Sequence, residues 1–378
     1  MTDWARFVRP SLLGLRPYDP GASLSELRAL YGVDELVKLN WNEGLEGPFP
    51  GVREAVAEEL ERTWMYPEQA YSDLREAVAA WIGVPPEEIV PSHGIQAQIA
   101  TVAHAFLEPG DTVVVPVPTY GLYAQVSAAA GARVERVPAE GFERSLAPLA
   151  EAAARTGARL VWLCDPNNPT GALAPREEWE DFLDALPERC AVAVDGAYFE
   201  YADPDLRTPR VQDVQAGRPV ILLRTFSKIF GLAGLRLGYA IAHESLAGFL
   251  DIVQEPFNVN RAALAAGRAS LQRVELVEER RLEIAAARDL LALRLQEHGC
   301  EPVPSQANFL LVRVDVDDAA LVDAVARRGL LLRGGTEYGL TGYVRITIAA
   351  PELMERAAAE IARAREELMT TAGYAGDA

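Results

Sequence analysis

From Asp111 onward, runs rich in β-branched and other apolar residues alternate with amphipathic helical segments. Strands joined by helices predict a mainly parallel sheet that is covered by helices on both faces. Ligands of such sheets bind at the carboxyl ends of the strands, where Asp165, Asp195 and Lys228 fall. The predicted strands are TVVVP (112–116), ARVERVP (132–138), ARLVWLC (158–164), CAVAV (190–194) and PVILLR (219–224), with helices near 122–130, 146–155 and 176–186.

The chain has 378 residues, 49 % of them hydrophobic, which is enough for a large domain and a smaller one. A long helical pattern from Arg261 to His298, interrupted only by Gly267, is predicted to join them. Beyond it, NFLLVRV (308–314), LLLR (330–333) and YVRITIA (343–349) predict the strands of a small α/β domain. The predicted division is an N-terminal arm (1–30), a large domain (51–270) and a small domain (31–50 and 271–378).

Fifty-five acidic residues against 36 basic ones give a formal net charge of −19. Nucleic acids and anionic membranes require a basic surface, so neither is an expected partner. The three cysteines indicate no disulfide framework, and cysteine and histidine lack the spacing of a metal site. There is no signal-peptide pattern, and no apolar run approaches the ~18–20 residues of a membrane span. These features predict a cytoplasmic protein without a metal.

A lysine, Lys228, lies between two apolar runs that predict buried strands, in the segment LLRTFSKIFGLAGLRLGYAIA. A lone lysine in a loop is most simply a surface residue, but burying an ammonium is unfavourable unless the amine has a use. Thr225, Ser227 and Arg236 together suit a dianionic phosphate, which leaves Lys228 free to form an imine with a carbonyl cofactor. This combination indicates pyridoxal 5'-phosphate.

The segment TFSKIFGLAGLRLGYA resembles the lysine segment of the fold-type I pyridoxal-phosphate-dependent aminotransferases, above all their histidinol-phosphate aminotransferase branch. The resemblance continues through separated motifs in the family's order, from the N-terminal arm to Ala349. It implies an α/β fold with a large cofactor-binding domain and a smaller C-terminal one. It also implies amino transfer between glutamate and a second amino substrate, most simply histidinol phosphate, with Lys228 as the catalytic residue.

Other cofactor contacts follow from the resemblance. The loop DPNNPTG (165–171) is similar to a distinctive loop of the family and implies that Asn168 donates to the phenolic oxygen of the cofactor ring, as does Tyr198. Asp195 would pair with the pyridine nitrogen and keep it protonated, and Tyr120 would stack on the ring. Taken singly, Asp195 also suits a helix cap or turn, and Tyr120 a core or rim position.

The phosphate is expected at a strand-to-helix junction near residue 94, because the first N–H groups of a helix suit an anion. The resemblance implies that Gly94, Ile95 and Gln96 donate backbone N–H groups there. It also matches Tyr66 to a family tyrosine that reaches the neighbouring subunit's cofactor phosphate. A homodimer is therefore expected, with Tyr66 crossing the interface.

On the substrate side, the segment LNWNEGLEGPFP resembles the family motif LNxNExPxGPxP, with Asn42 as a substrate-binding residue and Gly44-Leu45 as a departure from it. Arg345 matches the arginine that clamps the substrate carboxylate. Arg333 matches a second anion-binding position, although an arginine in an acidic protein can simply be ion-paired.

The acceptor and the reaction stay open among several alternatives. They are an aromatic or specialised amino acid as substrate, a decarboxylation of the threonine-phosphate type, and acyl transfer or β-elimination. A non-catalytic regulator that senses pyridoxal phosphate is disfavoured, because the acidic chain has no basic N-terminal helix-turn-helix region.

Overall fold

The computed structural model describes residues 2–17, 22–139, 141–142 and 145–374. Met1 and residues 18–21 of the predicted arm, and residues 375–378 of the predicted small domain, lie outside the described residues. The described part contains α-helices, β-strands and short 3₁₀ segments.

The strands are β1 (Val37–Lys38), β2 (Ile89–Ser92), β3 (Thr112–Val117), β4 (Arg133–Pro138), β5 (Leu160–Cys164), β6 (Ala191–Asp195), β7 (Val220–Thr225), β8 (Gly238–Ile241), β9 (Glu301–Pro302), β10 (Phe309–Arg313), β11 (Leu330–Leu331), β12 (Arg333–Gly334) and β13 (Tyr343–Thr347). The helices are α1 (Leu24–Tyr31), α2 (Val52–Leu60), α3 (Ser72–Ile82), α4 (Ile95–Phe106), α5 (Leu122–Ala130), α6 (Ala147–Thr156), α7 (Trp179–Asp184), α8 (Val211–Gln215), α9 (Glu244–Val253), α10 (Arg261–Leu271), α11 (Glu275–Glu297), α12 (Asp318–Ala326) and α13 (Pro351–Tyr374).

The largest sheet has seven strands in the order β2-β8-β7-β6-β5-β3-β4. Pairs from β4 to β7 are parallel, and β8 is antiparallel to both β7 and β2. The mainly parallel sheet predicted from the strand–helix alternation is confirmed.

Both faces of this sheet are buried, which explains why its central strands are apolar throughout. Alternate residues point to opposite faces, so Val161 and Leu163 of β5 pack in one hydrophobic cluster while Leu160 and Trp162 pack in another. Strands β6 and β7 divide between the two clusters in the same way. A sheet covered on both sides leaves its strand ends as the place where polar side chains gather.

A second sheet, of order β12-β13-β10-β9, is antiparallel throughout. Strand β1 pairs in parallel with β11, which brings Val37 and Lys38 against Leu330 and Leu331. This pairing supports grouping residues 31–50 with the C-terminal region. The limits of the three predicted units stay a prediction.

Two segments differ from the sequence-based expectation. The long helix breaks at residues 272–274 between α10 and α11, not at Gly267. Gly267 lies inside α10 because a Cβ there would come within 2.6 Å of Leu237 and 3.0 Å of Leu74, so the glycine permits close packing rather than ending the helix. The predicted extended arm contains α1, whose start is fixed by a capping box between Ser23 and Glu26.

None of the described helices is both long enough and apolar enough to cross a membrane.

Candidate active site

Three adjacent parallel strands bring polar residues to one edge of the large sheet. β5 ends at Cys164, which pairs with Asp195 at the end of β6, and Asp195 in turn pairs with Leu223 of β7. The loop containing Asn168 follows β5, and Lys228 lies three residues beyond the end of β7. These residues therefore lie at the carboxyl ends of the parallel strands, where the sequence predicts a ligand site.

The Lys228 amine points back to a segment that precedes the large sheet in the chain. Its Nζ donates to the backbone oxygens of Asn42 at 2.7 Å and of Trp41 at 3.2 Å. Desolvation lowers the pKa of Lys228 to about 7, with a further lowering by Arg345, while Glu43 opposes the shift. A large share of the amine is therefore neutral near pH 7, and the neutral amine is the form that attacks a carbonyl.

Asp195 is 3 % exposed and is held by two donors, the Tyr123 hydroxyl at 2.6 Å and the Ala197 N–H at 2.9 Å. Burial raises the pKa of Asp195, whereas these two hydrogen bonds and the nearby Arg224 and Lys228 act against that rise. A cationic N–H placed against this carboxylate would favour its ionised form further. The arrangement suits a partner that donates a proton-bearing nitrogen.

Sequence reasoning missed Tyr123. It lies in the first turn of α5, three residues after Tyr120, which precedes the helix, and the two rings meet edge to face at 5.6 Å. The spacing was a usable signal once Tyr120 had been assigned to the site. Tyr123 is also stacked on Trp162 at 5.3 Å, which fixes its ring under the sheet edge.

Asn168 and Tyr198 each contact a residue that was predicted to bind the substrate. The Asn168 side-chain oxygen accepts from Arg345 at 2.5 Å, which leaves its amide N–H groups to donate elsewhere. The Tyr198 hydroxyl accepts from Asn42 Nδ2 at 3.1 Å, and its ring packs against Phe309. Both side chains are buried. These contacts link the carboxyl ends of the large sheet's strands to Arg345 of the second sheet and to Asn42.

A cationic cradle forms where α4 begins. The Gly94 N–H donates to Ser92 O at 2.8 Å, which differs from the predicted phosphate contact and leaves the first free helical N–H groups to Ile95 and Gln96. The Arg236 guanidinium lies against Gly94, since a Cβ on Gly94 would sit 2.7 Å from Arg236 Nη2. The helix N-terminus and the guanidinium thus converge on one small volume.

The other residues predicted for this cradle lie beside it. Thr225 Oγ1 accepts the Ser227 N–H at 3.0 Å and makes a longer bond of 3.3 Å to Leu237 O. Gln96 connects Arg236 Nη2, at 3.3 Å, with the Tyr120 hydroxyl, at 2.8 Å. The Thr225 and Tyr120 hydroxyls are therefore held by polar contacts around the start of α4.

Arg345, on β13, is 4 % exposed, and its guanidinium reaches Asn168 in the loop after β5. Its two terminal nitrogens contact Asn168 Oδ1 at 2.5 Å, the Tyr338 hydroxyl at 2.7 Å and Asn40 O at 2.6 Å. Its Nε is buried and has no hydrogen-bond partner among the described residues. Neither Tyr338 nor Asn40 was predicted as a site residue. Asn40 belongs to the motif LNxNExPxGPxP but had no role assigned to it, and Tyr338 belongs to no recognisable local pattern.

Arg333 lies directly opposite Arg345 in the β12–β13 ladder, so both side chains are on the same face of the sheet. Its guanidinium forms an ion pair with Glu337. The ion-paired state that the sequence allowed for Arg333 is therefore the observed one, and its position next to Arg345 is observed as well.

Asn42 ties the two sides together. It is 1 % exposed and left-handed, with φ of 55°, and its N–H donates to Thr347 Oγ1 at 3.0 Å while its carbonyl accepts from Lys228 and Asn308. Gly44 follows closely, and any Cβ at that position would overlap with the Lys228 carbonyl oxygen. The departure Gly44-Leu45 from the family motif thus fits the close approach of this loop to the lysine.

Tyr66 lies on the surface, 80 % exposed. Its ring stacks on Phe257 at 5.0 Å, and its carbonyl accepts from Arg261 at 3.2 Å. Its described contacts are thus with these residues and not with Lys228 or Asp195.

Comparison with known proteins decides the family. The model of the family "Aminotransferase class I and II" matches residues 34–361. The chain belongs to this family. It is 37 % identical to a histidinol-phosphate aminotransferase of Symbiobacterium thermophilum, over 92 % of this chain and 96 % of that protein, and 36 % identical to one of Geobacillus thermodenitrificans, over 92 % and 95 %.

Solved structures agree with this assignment. A histidinol-phosphate aminotransferase of Sinorhizobium meliloti in complex with pyridoxal-5'-phosphate superposes with a TM-score of 0.88 at 29 % identity, covering 96 % of this chain and 98 % of that one. An aspartate aminotransferase of Thermus thermophilus, at 24 % identity, shares the fold with a TM-score of 0.80 over 94 % and 99 %. The predictions of a fold-type I aminotransferase and of an enzyme are confirmed.

Pyridoxal 5'-phosphate is the cofactor of this aminotransferase, and the donor set fits it. Asp195 offers a buried carboxylate for a ring nitrogen, and Lys228 offers an amine with a lowered pKa for the aldehyde. The start of α4 with Arg236 offers donors for the phosphate.

Proposed function

We propose that this aminotransferase moves an amino group between glutamate or 2-oxoglutarate and histidinol phosphate or imidazole-acetol phosphate. The observation that carries the substrate assignment is the pair of arginines, Arg345 and Arg333, opposite each other on β13 and β12. A site that must accept a carboxylate from one substrate and a phosphate from another needs two cationic groups side by side. The histidinol-phosphate aminotransferases among the relatives support the same substrate.

Asp195 is proposed to keep the pyridine nitrogen of the cofactor protonated, and Asn168 and Tyr198 to donate to its phenolic oxygen. The bound cofactor supplies an electron sink for the charge that develops at the substrate α-carbon. Tyr123 orients Asp195 through its 2.6 Å hydrogen bond, so the carboxylate is fixed before the ring arrives. Tyr120 is proposed to lie against the ring face.

The phosphate of the cofactor is proposed to lie at the start of α4. Ile95 and Gln96 would donate backbone N–H groups, while Thr225, Ser227 and Arg236 would add hydroxyl and guanidinium donors. Since a helix N-terminus carries partial positive charge, it complements a dianion. Because Gly94 has no side chain, the Arg236 guanidinium can pack directly against its backbone.

Lys228 is proposed as the catalytic base and acid that carries the proton at the substrate α-carbon. The carbonyls of Trp41 and Asn42 orient its Nζ in the free protein. A pKa of about 7 is close to that of an effective acid–base group at neutral pH, because both protonation states are then populated.

Arg345 is proposed to bind the substrate carboxylate as a bidentate pair, with Asn42 lining the same space. Its hydrogen bonds to Asn168, Tyr338 and Asn40 fix the guanidinium plane.

A homodimer is proposed on the basis of the exposed apolar run Trp64, Met65 and Tyr66, which are 82 %, 45 % and 80 % exposed. Light scattering of the cofactor-loaded protein measures its mass directly. A monomeric mass at micromolar concentration would rule out Tyr66 as a residue shared across subunits.

The acceptor assignment is tested by steady-state kinetics with glutamate as donor and imidazole-acetol phosphate, phenylpyruvate and a panel of 2-oxo acids as acceptors. We expect the phosphorylated acceptor to have the highest kcat/KM, since it alone engages both arginines with a dianion. A preference of more than about tenfold, or ~1.4 kcal/mol of transition-state binding, for a non-phosphorylated acceptor would reject the assignment. Failure of glutamate and every other amino donor to react, with release of carbon dioxide instead, would favour the decarboxylase alternative.

A further inference from the structure

The loop between β12 and β13 holds a carboxylate against one of the two substrate-side arginines. Glu337 lies four residues after Arg333 and pairs with its guanidinium, with side-chain exposures of 51 % and 24 %. The loop is fixed by Asp318, which is buried and accepts from the Thr336 N–H at 3.0 Å, the Thr336 hydroxyl at 2.7 Å and the Gly342 N–H at 3.1 Å. Glu337 is therefore presented by an anchored turn.

The groups around Arg333 and Arg345 indicate that an anion binds between these two side chains. Arg333 and Arg345 lie opposite each other on the same sheet face, and the Nε atoms of both are buried without a hydrogen-bond partner among the described residues. Tyr338, which follows Glu337, contacts Arg345 Nη1 through its hydroxyl at 2.7 Å. Two adjacent guanidinium groups with unused donors repel each other unless an anion lies between them. In the free protein, Glu337 neutralises one of the two.

We propose that Glu337 is an internal counter-ion of Arg333 that the distal anion of the substrate must displace, and that it thereby sets how strongly the site binds phosphorylated acceptors. This inference rests on the proposed function. Glu337 acts through Arg333 and is a positioning residue, not a catalytic one. Because about half of its side chain is already exposed, it can turn into water with little additional change in hydration.

The displacement has a specific consequence for binding. An acceptor that carries a phosphate exchanges one ion pair of Arg333 for another, so part of its attraction is used to release Glu337. An acceptor without a distal anion leaves the Arg333–Glu337 pair intact and is unaffected by it. Removal of the carboxylate should therefore lower KM for the phosphorylated acceptor alone, while kcat stays the same.

The test measures inorganic phosphate binding to the cofactor-loaded enzyme by calorimetry at constant ionic strength. The variants are E337Q, R333A, the double variant R333A/E337Q, and the control E297Q, which removes an equal charge from an exposed ion pair with Arg294 on α11. We expect E337Q to bind phosphate about two- to fivefold more tightly than the wild type, as for loss of a partly exposed ion pair. E297Q should leave the affinity unchanged, and R333A should weaken it.

Unchanged or weaker phosphate binding by E337Q would overturn the proposal. An equal gain of affinity in the R333A background would also overturn it, because the carboxylate would then act by general charge and not through Arg333. Glu337→Ala repeats the measurement without the amide.

Kinetics with imidazole-acetol phosphate and with its dephosphorylated counterpart separate this proposal from the substrate assignment. A selective fall in KM for the phosphorylated compound supports the role of Glu337, and equal changes for both contradict it. If the wild type turns over neither compound, the proposed substrate fails, while the calorimetric comparison still decides the role of Glu337.

Discussion

The proposed cofactor edge, around Asp195 and Lys228, and the proposed substrate face, around Asn42 and Arg345, are built in different ways. At the cofactor edge, Asp195 and Lys228 follow the ends of adjacent parallel strands, so the backbone of one sheet fixes their separation. At the substrate face, Asn42 and Arg345 come from distant parts of the chain and meet through hydrogen bonds such as that from the Asn42 N–H to Thr347 Oγ1. The first region depends on strand register, and the second depends on how two sheets are placed together.

This difference suggests which region can vary. A sheet edge that is set by backbone register tolerates sequence change without moving its side chains. The loop that carries Glu337 can change without disturbing that edge, because this loop is anchored separately by Asp318. We therefore expect cofactor chemistry and acceptor choice to depend on separable parts of this chain.

The comparison is tested most severely by Lys228→Ala at the cofactor edge. We expect turnover to fall by about 10³-fold or more, because both the covalent link to the cofactor and the acid–base group are lost. The variant should still fold and bind pyridoxal phosphate, since the donors at the start of α4 and Asp195 are unaffected. Turnover is measured by steady-state kinetics and retained cofactor by equilibrium dialysis.

The chain supplies a matched control, because it contains two lysines, Lys38 and Lys228. Lys38 forms an ion pair with Glu43 at 2.8 Å and lies over the Trp41 ring, close to the loop that contacts Lys228. Lys38→Ala should retain most of the activity and all of the borohydride-trapped cofactor. Normal turnover in Lys228→Ala, or loss of trapping in Lys38→Ala, would contradict the assignment of the catalytic lysine.

A smaller effect, on the substrate face, is expected from Arg345→Lys. A lysine keeps the charge but cannot hold Asn168, Tyr338 and Asn40 while also binding a carboxylate at two points. We expect kcat/KM to fall on the order of 10²-fold, within the range for truncating a buried charged partner. The cofactor spectrum should not change if the two regions are separable.

Arg313→Lys serves as the control for this substitution, because Arg313 lies on β10 of the same sheet but is exposed and paired with Glu301 and Asp315. We expect it to have wild-type kinetics. An altered cofactor spectrum in Arg345→Lys, or an equal loss of kcat/KM in both variants, would show that the two regions are not independent.

The same contrast explains what the sequence can and cannot predict. The parallel sheet and the positions of Asp195 and Lys228 follow from local signals, namely apolar strands ended by polar residues. The roles of Asn168 and Arg345 needed the resemblance to a family, since a turn and a strand arginine are common. Asn40 lies in a recognisable motif and Tyr338 does not, but no local signal shows that either contacts Arg345, because only tertiary packing brings them to it. The break at residues 272–274 was missed because a packing glycine inside α10 has the same appearance in sequence as a helix end.

The smallest expected effect concerns the pH dependence with which the cofactor-free protein captures pyridoxal phosphate. Only the neutral amine attacks the aldehyde, so the capture rate follows the neutral fraction of Lys228. Burial lowers the pKa of Lys228 to about 7, below the usual value for lysine. The neutral fraction therefore rises about tenfold between pH 6 and 8 and levels off above pH 8, whereas for an ordinary lysine of pKa ~10.4 it rises about 100-fold and continues to rise.

Borohydride trapping at short times measures this rate, and an Nα-blocked lysine under the same conditions corrects for ionisation of the cofactor itself. The lowered pKa also affects the stability of the cofactor-free protein. Below about pH 7 the folded protein must bury a charged amine, which lowers its free energy of unfolding. This penalty disappears as the pH rises from about 7 toward the pKa of lysine in the unfolded chain. The cofactor-free protein should accordingly become more stable from pH 7 to 9, and Lys228→Ala should remove that part of the increase. A capture rate that still rises tenfold per pH unit at pH 8 would show that Lys228 is solvated like a surface lysine. The sheet would then not hold Lys228 in a buried position, and the contrast between the proposed cofactor edge and the proposed substrate face would be wrong for the catalytic lysine itself.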